Sequence, residues 1–175
     1  MKIGIILLLW GFISVVSAKV PEDWYVIKAP DQKCILAMPE EPHVFKKNID
    51  TDWGIIKTWH CELKIDTCMY KFFIYDYPEK FTNYFTGEEI FDFMMKSISE
   101  EYDSPPIKKK IIYKEELGFE VFGVFNRNQK WAYKYRLFYV NGRIYSLYAA
   151  ETNELAYRAR LFLNSFEILD RTAID

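Results

Sequence analysis

Asn141-Gly142 lies between Lys130–Val140 and Arg143–Ala150, two runs dense in aromatic and branched residues with a period near two. Both residues of the pair tolerate positive φ, so they close a type I′ turn whose twist matches that of the strands it joins. The turn fixes the pairing on either side: Val140 faces Arg143, Phe138 faces Tyr145 and Tyr135 faces Tyr148. A chain with this hairpin in the middle of a long two-period region is committed to an antiparallel sheet.

The region around the turn extends the same pattern. Strands are predicted over Ile107–Glu115, Phe119–Asn126, Lys130–Val140 and Arg143–Ala150, with Gly118 and the Arg127-Asn128 pair marking the other turns. Upstream, Lys33–Met38 reads as a strand ended by Pro39 and preceded by an irregular Pro-containing arm. Trp53–Leu63 and Thr67–Tyr75 read as a strand pair. Between the two strand regions the period changes. Thr86-Gly-Glu-Glu89 has the form of a capping box, and Ile90, Phe91, Met94, Met95, Ile98 and Tyr102 recur at helical spacing, so a helix is predicted over Glu88–Tyr102. Ser104-Pro105-Pro106 ends it. A final helix capped by Thr152 or Asn153 would turn Leu155, Ala159, Phe162 and Phe166 inward, and Phe166–Leu169 would return against the sheet as a short extended piece. Strands, helix, meander and helix in that order define an α+β domain with an antiparallel sheet.

The first eighteen residues follow another logic. Lys2, an apolar run from Ile3 to Ile13 and the small residues Val16-Ser17-Ala18 read as a secretory signal peptide (residues 1–18), with residues 19–175 as one α+β domain. The apolar run is short of the roughly 20 residues a membrane span needs. The expected product is secreted or periplasmic, with no membrane anchor after signal cleavage. The chain has a formal net charge of −2, and losing Lys2 takes it one unit further negative. That balance gives no electrostatic footprint for nucleic acid.

In an oxidising compartment Cys34, Cys61 and Cys68 are an odd set. With Lys64-Ile65 at the tip of a hairpin, Cys61 and Cys68 would face each other within reach of a disulfide. A bridge from Cys34 to one of them is the alternative. His60 adjoins Cys61, but neighbours on a strand point to opposite faces and do not form a nucleophile–base couple.

The stretch Tyr135-Arg-Leu-Phe-Tyr-Val-Asn-Gly-Arg-Ile-Tyr-Ser-Leu147, the following helix and Phe162-Leu-Asn-Ser-Phe166 resemble the end of PsbP/Mog1-like domains. Cys34-Ile-Leu-Ala-Met-Pro39 and the mid-chain helix fall in similar order. The resemblance covers most of Lys33–Leu169 and is one of pattern. It implies an α/β/α sandwich with helices on both faces of the sheet, and a binding or assembly module with no catalytic residue carried over. A cystatin-like or NTF2-like curved sheet is the alternative fold.

Candidate site residues come from the expected register. With Arg127-Asn128 as a two-residue loop, Glu120 pairs with Tyr135, and one face carries Glu120, Phe122, Trp131, Tyr133, Tyr135 and Tyr148. A carboxylate among tyrosines can accept their hydroxyl protons, which makes Glu120, Tyr133, Tyr135 and Tyr148 a candidate ligand-binding set, though a helix-covered core with Glu120 in a structural hydrogen bond is the favoured explanation. Arg136 lies centrally on the other face, where a covered guanidinium needs a carboxylate or an anionic ligand, and Arg143 by the turn is expected to reach solvent. His43 and His60 have no companions at metal-ligand spacing, so no metal site and no cofactor are expected. Lys108-Lys-Lys110 reads as a solvated strand edge.

These features predict a non-catalytic binding or accessory domain for a protein partner or a small amphipathic ligand. The alternatives are an inhibitor or immunity-type protein of a secreted enzyme, and a minor hydrolase or transferase built on Glu120 and the tyrosines.

Overall fold

The computed structural model describes residues 20–101, 106–126, 130–152 and 157–169. The signal-peptide segment and residues 153–156, which include the candidate cap Asn153 and the expected inward residue Leu155, lie outside the described residues.

The described chain is mostly antiparallel sheet. The larger sheet has seven strands in the spatial order β3 (His43–Thr51), β4 (Gly54–Ile65), β5 (Cys68–Asp76), β9 (Arg143–Glu151), β8 (Lys130–Val140), β7 (Glu116–Asn126) and β6 (Ile107–Tyr113). A second sheet sets β2 (Cys34–Met38) between β1 (Tyr25–Lys28) and the two-residue β10 (Glu167–Ile168). Three helices complete the fold: α1 (Glu79–Thr82), α2 (Gly87–Glu101) and α3 (Tyr157–Ser165).

The large sheet sorts its side chains to two faces. One face sends Cys61, Tyr70, Phe72, Ile74, Phe138, Tyr145 and Leu147 into a core with Leu36, Ala37 and Met38 of β2 and with Ala159, Leu161, Phe162 and Leu163 of α3. On the other face Phe119, Leu137 and Ile144 pack under Ile90 and Phe91 of α2. The predicted sandwich is thus modified: one face receives the small sheet as well as a helix. Helix α2 begins where its capping box predicts. The backbone N–H of Thr86 donates to Glu89 Oε2 at 2.8 Å, and the Glu89 N–H donates back to Thr86 Oγ1 at 3.3 Å.

The Asn141-Gly142 hairpin forms as expected, with φ of 50° and 78° at the two residues and Val140 opposite Arg143. Four other expectations need correction. The proposed irregular arm contains strand β1, and His43–Thr51 adds β3 at the sheet edge. The β6–β7 turn falls at Lys114-Glu115, both at positive φ, while Gly118 sits within β7 against the Phe138 ring, where a Cβ would come within 2.7 Å. The β7–β8 register is one residue off the expected one: Asn126 pairs with Lys130, so three residues separate the strands, and Glu120 faces Arg136 instead of Tyr135. A one-residue slip moves a side chain to the other face of a sheet, because the side-chain period is two. Glu120 and Phe122 therefore leave the tyrosine face.

The fourth correction concerns the disulfide. The β4–β5 turn sits at Asp66-Thr67, where Asp66 takes φ 50° and Ile65 pairs with Cys68. Cys61 pairs with Phe72 instead, and Cys68 lies opposite a residue four positions further on, roughly 13 Å along the strand. All three cysteines are free thiols. Burial raises both Cys34 and Cys61 to about 12. Mass spectrometry of native protein is expected to find three thiols, with iodoacetamide modifying only the half-buried Cys68 until denaturant is added. Recovery of a disulfide-linked peptide would contradict this arrangement.

Candidate functional site

The five candidate ligand-binding residues separate into two groups. Tyr133, Tyr135 and Tyr148 come together as expected. Tyr135 and Tyr148 pair directly across β8 and β9 with ring centroids 4.6 Å apart, and Tyr133 lies 5.8 Å from Tyr135. Tyr133 and Tyr148 are buried, with Ala150 beside them and Met69 and Trp131 at the margin. Gly123 faces Tyr133 across the pair, and a Cβ there would meet the Tyr133 hydroxyl at 2.2 Å. The absence of a side chain at residue 123 is what gives this ring its place.

Glu120 and Arg136 meet on the opposite face. Arg136 Nε donates to Glu120 Oε2 at 2.9 Å, and Lys134 Nζ reaches Glu120 Oε1 at 2.7 Å. Arg136 Nη1 also donates to the Leu163 carbonyl at 2.8 Å and to Asn164 Oδ1 at 2.7 Å. The guanidinium thus finds a strand acid and the end of α3. Burial alone would raise the Glu120 carboxyl, but the bonds from Lys134 and Arg136 outweigh it and hold the group below its usual range. Arg136 ties the sheet to α3, and a carboxylate held this way is a poor proton acceptor.

A second polar node appears where sequence reasoning placed a solvent-facing arginine. Arg143 Nε donates to Asp76 Oδ1 at 2.5 Å, its Nη1 donates to Asp31 Oδ2, and its guanidinium lies 5.8 Å from the centre of the Tyr145 ring. Burial works against the charge on Arg143, but the two carboxylates more than restore it, and its pKa is raised. The Asp31 carboxyl is lowered, because the Arg143 bond and charge and the Lys33 N–H overcome the effect of burial. Two clefts open beside this node. One, of about 350 Å³, runs past Lys33, Glu116, Asn141 and Tyr145. The other, of about 200 Å³, runs past Pro30, Lys46, Lys57, Trp59 and Ile74. Arg143 and Asp76 border both.

An exposed aromatic cluster forms where the β3–β4 turn meets α1 and α2. The Trp53 ring lies 4.8 Å from Tyr84, 5.2 Å from Phe85 and 6.0 Å from Phe81, and Phe85 lies 5.2 Å from Phe93. Lys80 Nζ stands 5.7 Å above Trp53. Tyr84 and Phe93 remain 69% and 51% exposed, and Ile49 and Ile55 flank the same turn, 42% and 49% exposed. Sequence reasoning missed this cluster because its members come from the β3–β4 turn, α1, the α1–α2 connection and α2, and follow no single periodic pattern. The aromatic run from Tyr77 to Phe93 was the available signal.

Among the described residues no group of three His, Cys, Asp or Glu side chains is placed to hold a metal ion. His60 Nε2 and Thr58 Oγ1 are 2.7 Å apart, and its ring stacks on Phe45 at 4.6 Å. Burial lowers its pKa, with Glu62 opposing and Lys47 and Lys71 adding to the effect.

This architecture is a PsbP-like fold. It is similar to the solution structure of cyanobacterial PsbP (CyanoP) from Synechocystis sp. PCC 6803, with a TM-score of 0.51 and 8% sequence identity over 83% of this chain and 92% of that one. A crystal structure from Bacteroides thetaiotaomicron VPI-5482 aligns over 83% of this chain and 48% of its own, at a TM-score of 0.49 and 8% identity. No protein-family model matches the chain, and no curated protein does.

Proposed function

We propose that the protein is a non-catalytic accessory domain that acts outside the cytoplasm and binds a protein partner through the Trp53–Tyr84–Phe85–Phe93 cluster. The observation that carries this reading is the exposure of Tyr84 and Phe93, side chains that folding leaves in water. Contiguous exposed aromatics mark interaction surfaces more often than they occur by chance on monomers. The carboxylates near the turn give the partner its character. Asp50, Asp52 and Glu79 border the cluster and make no ion pair among the described residues. An apolar protrusion ringed by lysine or arginine fits such a rim. The leader-like first eighteen residues support a place beyond the membrane.

The shifted acids and tyrosines favour binding over catalysis, and His60 packs against Phe45 and Phe73 and borders neither cleft. A general base needs a pKa near the working pH, but Asp31 and Glu120 are moved down, while Tyr75 and Tyr77 are pushed up to about 12 by burial, with neighbouring Tyr77 and Glu62 adding to the rise at Tyr75. In this reading Glu120, Arg136, Tyr133, Tyr135 and Tyr148 serve the fold and do not hold a ligand.

The test compares wild-type protein with Tyr84→Asp/Phe93→Asp in cross-linked pull-downs from the native envelope or culture fluid. Both sites are exposed, so melting temperature should hardly change. The same partner should be recovered with wild type and lost with the variant. Equal recovery of every captured protein by the two would end the proposal.

A further inference from the structure

The smaller cleft beside Arg143 is built from one wall of the large sheet and the loop before β2. Trp59 and Ile74 supply its apolar surface, and Phe72 holds the Trp59 ring edge-on at 6.0 Å with an interplanar angle of 84°. Two lysines rise from the same sheet face. Lys46 pairs with Trp59 across β3 and β4, and Lys57 precedes Trp59 by two residues. Cross-strand Cβ atoms stand about 4.5–5.5 Å apart and i, i+2 neighbours roughly 6.5 Å apart, so both stems flank one indole.

The nearby carboxylates are engaged elsewhere. Asp76 pairs with Lys57 across β4 and β5, yet both it and Asp31 accept hydrogen bonds from Arg143. Neither Lys46 nor Lys57 makes an ion pair among the described residues. The site therefore combines a carbon-lined floor with a lining of net charge +1, in which Lys46, Lys57 and Arg143 outnumber Asp31 and Asp76. A cation would find both aspartates taken by Arg143. A neutral apolar molecule would leave the net positive charge of the lining unanswered. With about 200 Å³ available, below the roughly 300–1,000 Å³ of drug-sized sites, only a small ligand fits.

We infer that this cleft binds a small amphipathic carboxylate, whose ring or short chain lies on Trp59 and Ile74 and whose head group sits between Lys46 and Lys57. The site lies on the opposite face of the β3–β4 hairpin from Tyr84 and Phe93, so it stands or falls independently of the partner surface. Such a carboxylate can belong to a free acid or to the C-terminal residue of a peptide.

The inference is tested by NMR titration of the isotope-labelled protein with 2-naphthoate, with the neutral alcohol 2-naphthalenemethanol and with N-acetylphenylalanine as a mimic of a peptide C-terminus. The Trp59 indole N–H signal, assigned through Trp59→Phe, should shift saturably with one or both acids. The tighter acid identifies the source. The alcohol should bind at least tenfold more weakly than 2-naphthoate, and Lys46→Glu/Lys57→Glu should weaken 2-naphthoate at least tenfold. The alcohol comparison needs no variant and so holds even if the double substitution unfolds the protein. Absence of a saturable shift at Trp59 with either acid at millimolar concentration would overturn the inference, as would an alcohol that binds as tightly as the acid.

Discussion

Arg143→Met is expected to lower the free energy of unfolding by about 2–3 kcal/mol, somewhat below the ~3–5 kcal/mol seen when one partner of a fully buried ion pair is removed. The reason is what remains behind. Asp31 and Asp76 would keep their charges beside a core that includes Tyr145 and Cys34, with no donor to replace Nε and Nη1. Partial access of water to both aspartates moderates the loss. Denaturant titration measures the effect, and adding Asp76→Asn to the variant should recover part of it. This node and the Glu120–Arg136 pair shape the acid response. Asp31 and Glu120 titrate below their ordinary values of 3.8 and 4.5 when folded, so their contribution is complete above those values and is lost as pH falls through the lower folded ones. Stability should stay level down to about pH 4.5 and drop below pH 4. In Arg143→Met the part of that drop due to Asp31 should shrink, since only the Lys33 N–H and charge would still lower its carboxyl. A variant within ~0.5 kcal/mol of wild type, the range of an ordinary surface change, would mean that Arg143 does not hold the node together.

Gly123→Ala is expected to cost about 1–3 kcal/mol, the usual range for overpacking a filled interior. The added carbon would stand 2.2 Å from the Tyr133 hydroxyl oxygen and 2.4 Å from Cζ. Tyr133 is fully buried and meets Tyr135 and Tyr148, so the ring has little room to step aside. Tyr133→Leu withdraws the clashing atoms at the price of a cavity. In a double-mutant cycle, Gly123→Ala should therefore be far less harmful in the Tyr133→Leu background. Equal cost of Gly123→Ala in both backgrounds would show that the close approach is not what matters at this position.

The parts of the fold that could be read from the chain were those settled by neighbouring residues. Asn141-Gly142 accepts two positive φ angles unaided, and the β8–β9 register follows from it. The Thr86–Glu89 box likewise closes its own first turn. The turn at Lys114-Glu115 gave no such signal, because neither side chain favours the left-handed region. It is held by distant contacts, in which Lys114 Nζ donates to the Ile168 carbonyl at 2.9 Å and meets Glu167 at 3.3 Å. The site suffered most from loop length. One more residue between β7 and β8 than a tight turn requires was enough to move Glu120 from the tyrosines to Arg136. The role of Arg143 was hidden for a related reason, since Asp31 and Asp76 are 112 and 67 positions away in the chain.

The pairing of β10 with β2 joins residues separated by most of the molecule: Ile168 lies beside Cys34, and Ser165 Oγ accepts from the Ala37 N–H at 2.9 Å. The time order of assembly follows from this. The seven-stranded sheet is two runs of short returns, β3–β4–β5 and β6–β7–β8–β9, joined by the longer-range β5–β9 pairing. Strand β2 waits longer still, because its second neighbour follows β9 in the chain. Joining ends so far apart also carries the largest closure entropy in the molecule. Until Glu167–Ile168 is available one edge of β2 stays unpaired, and a product cut short before Glu167 would present that edge to whatever handles unfinished proteins.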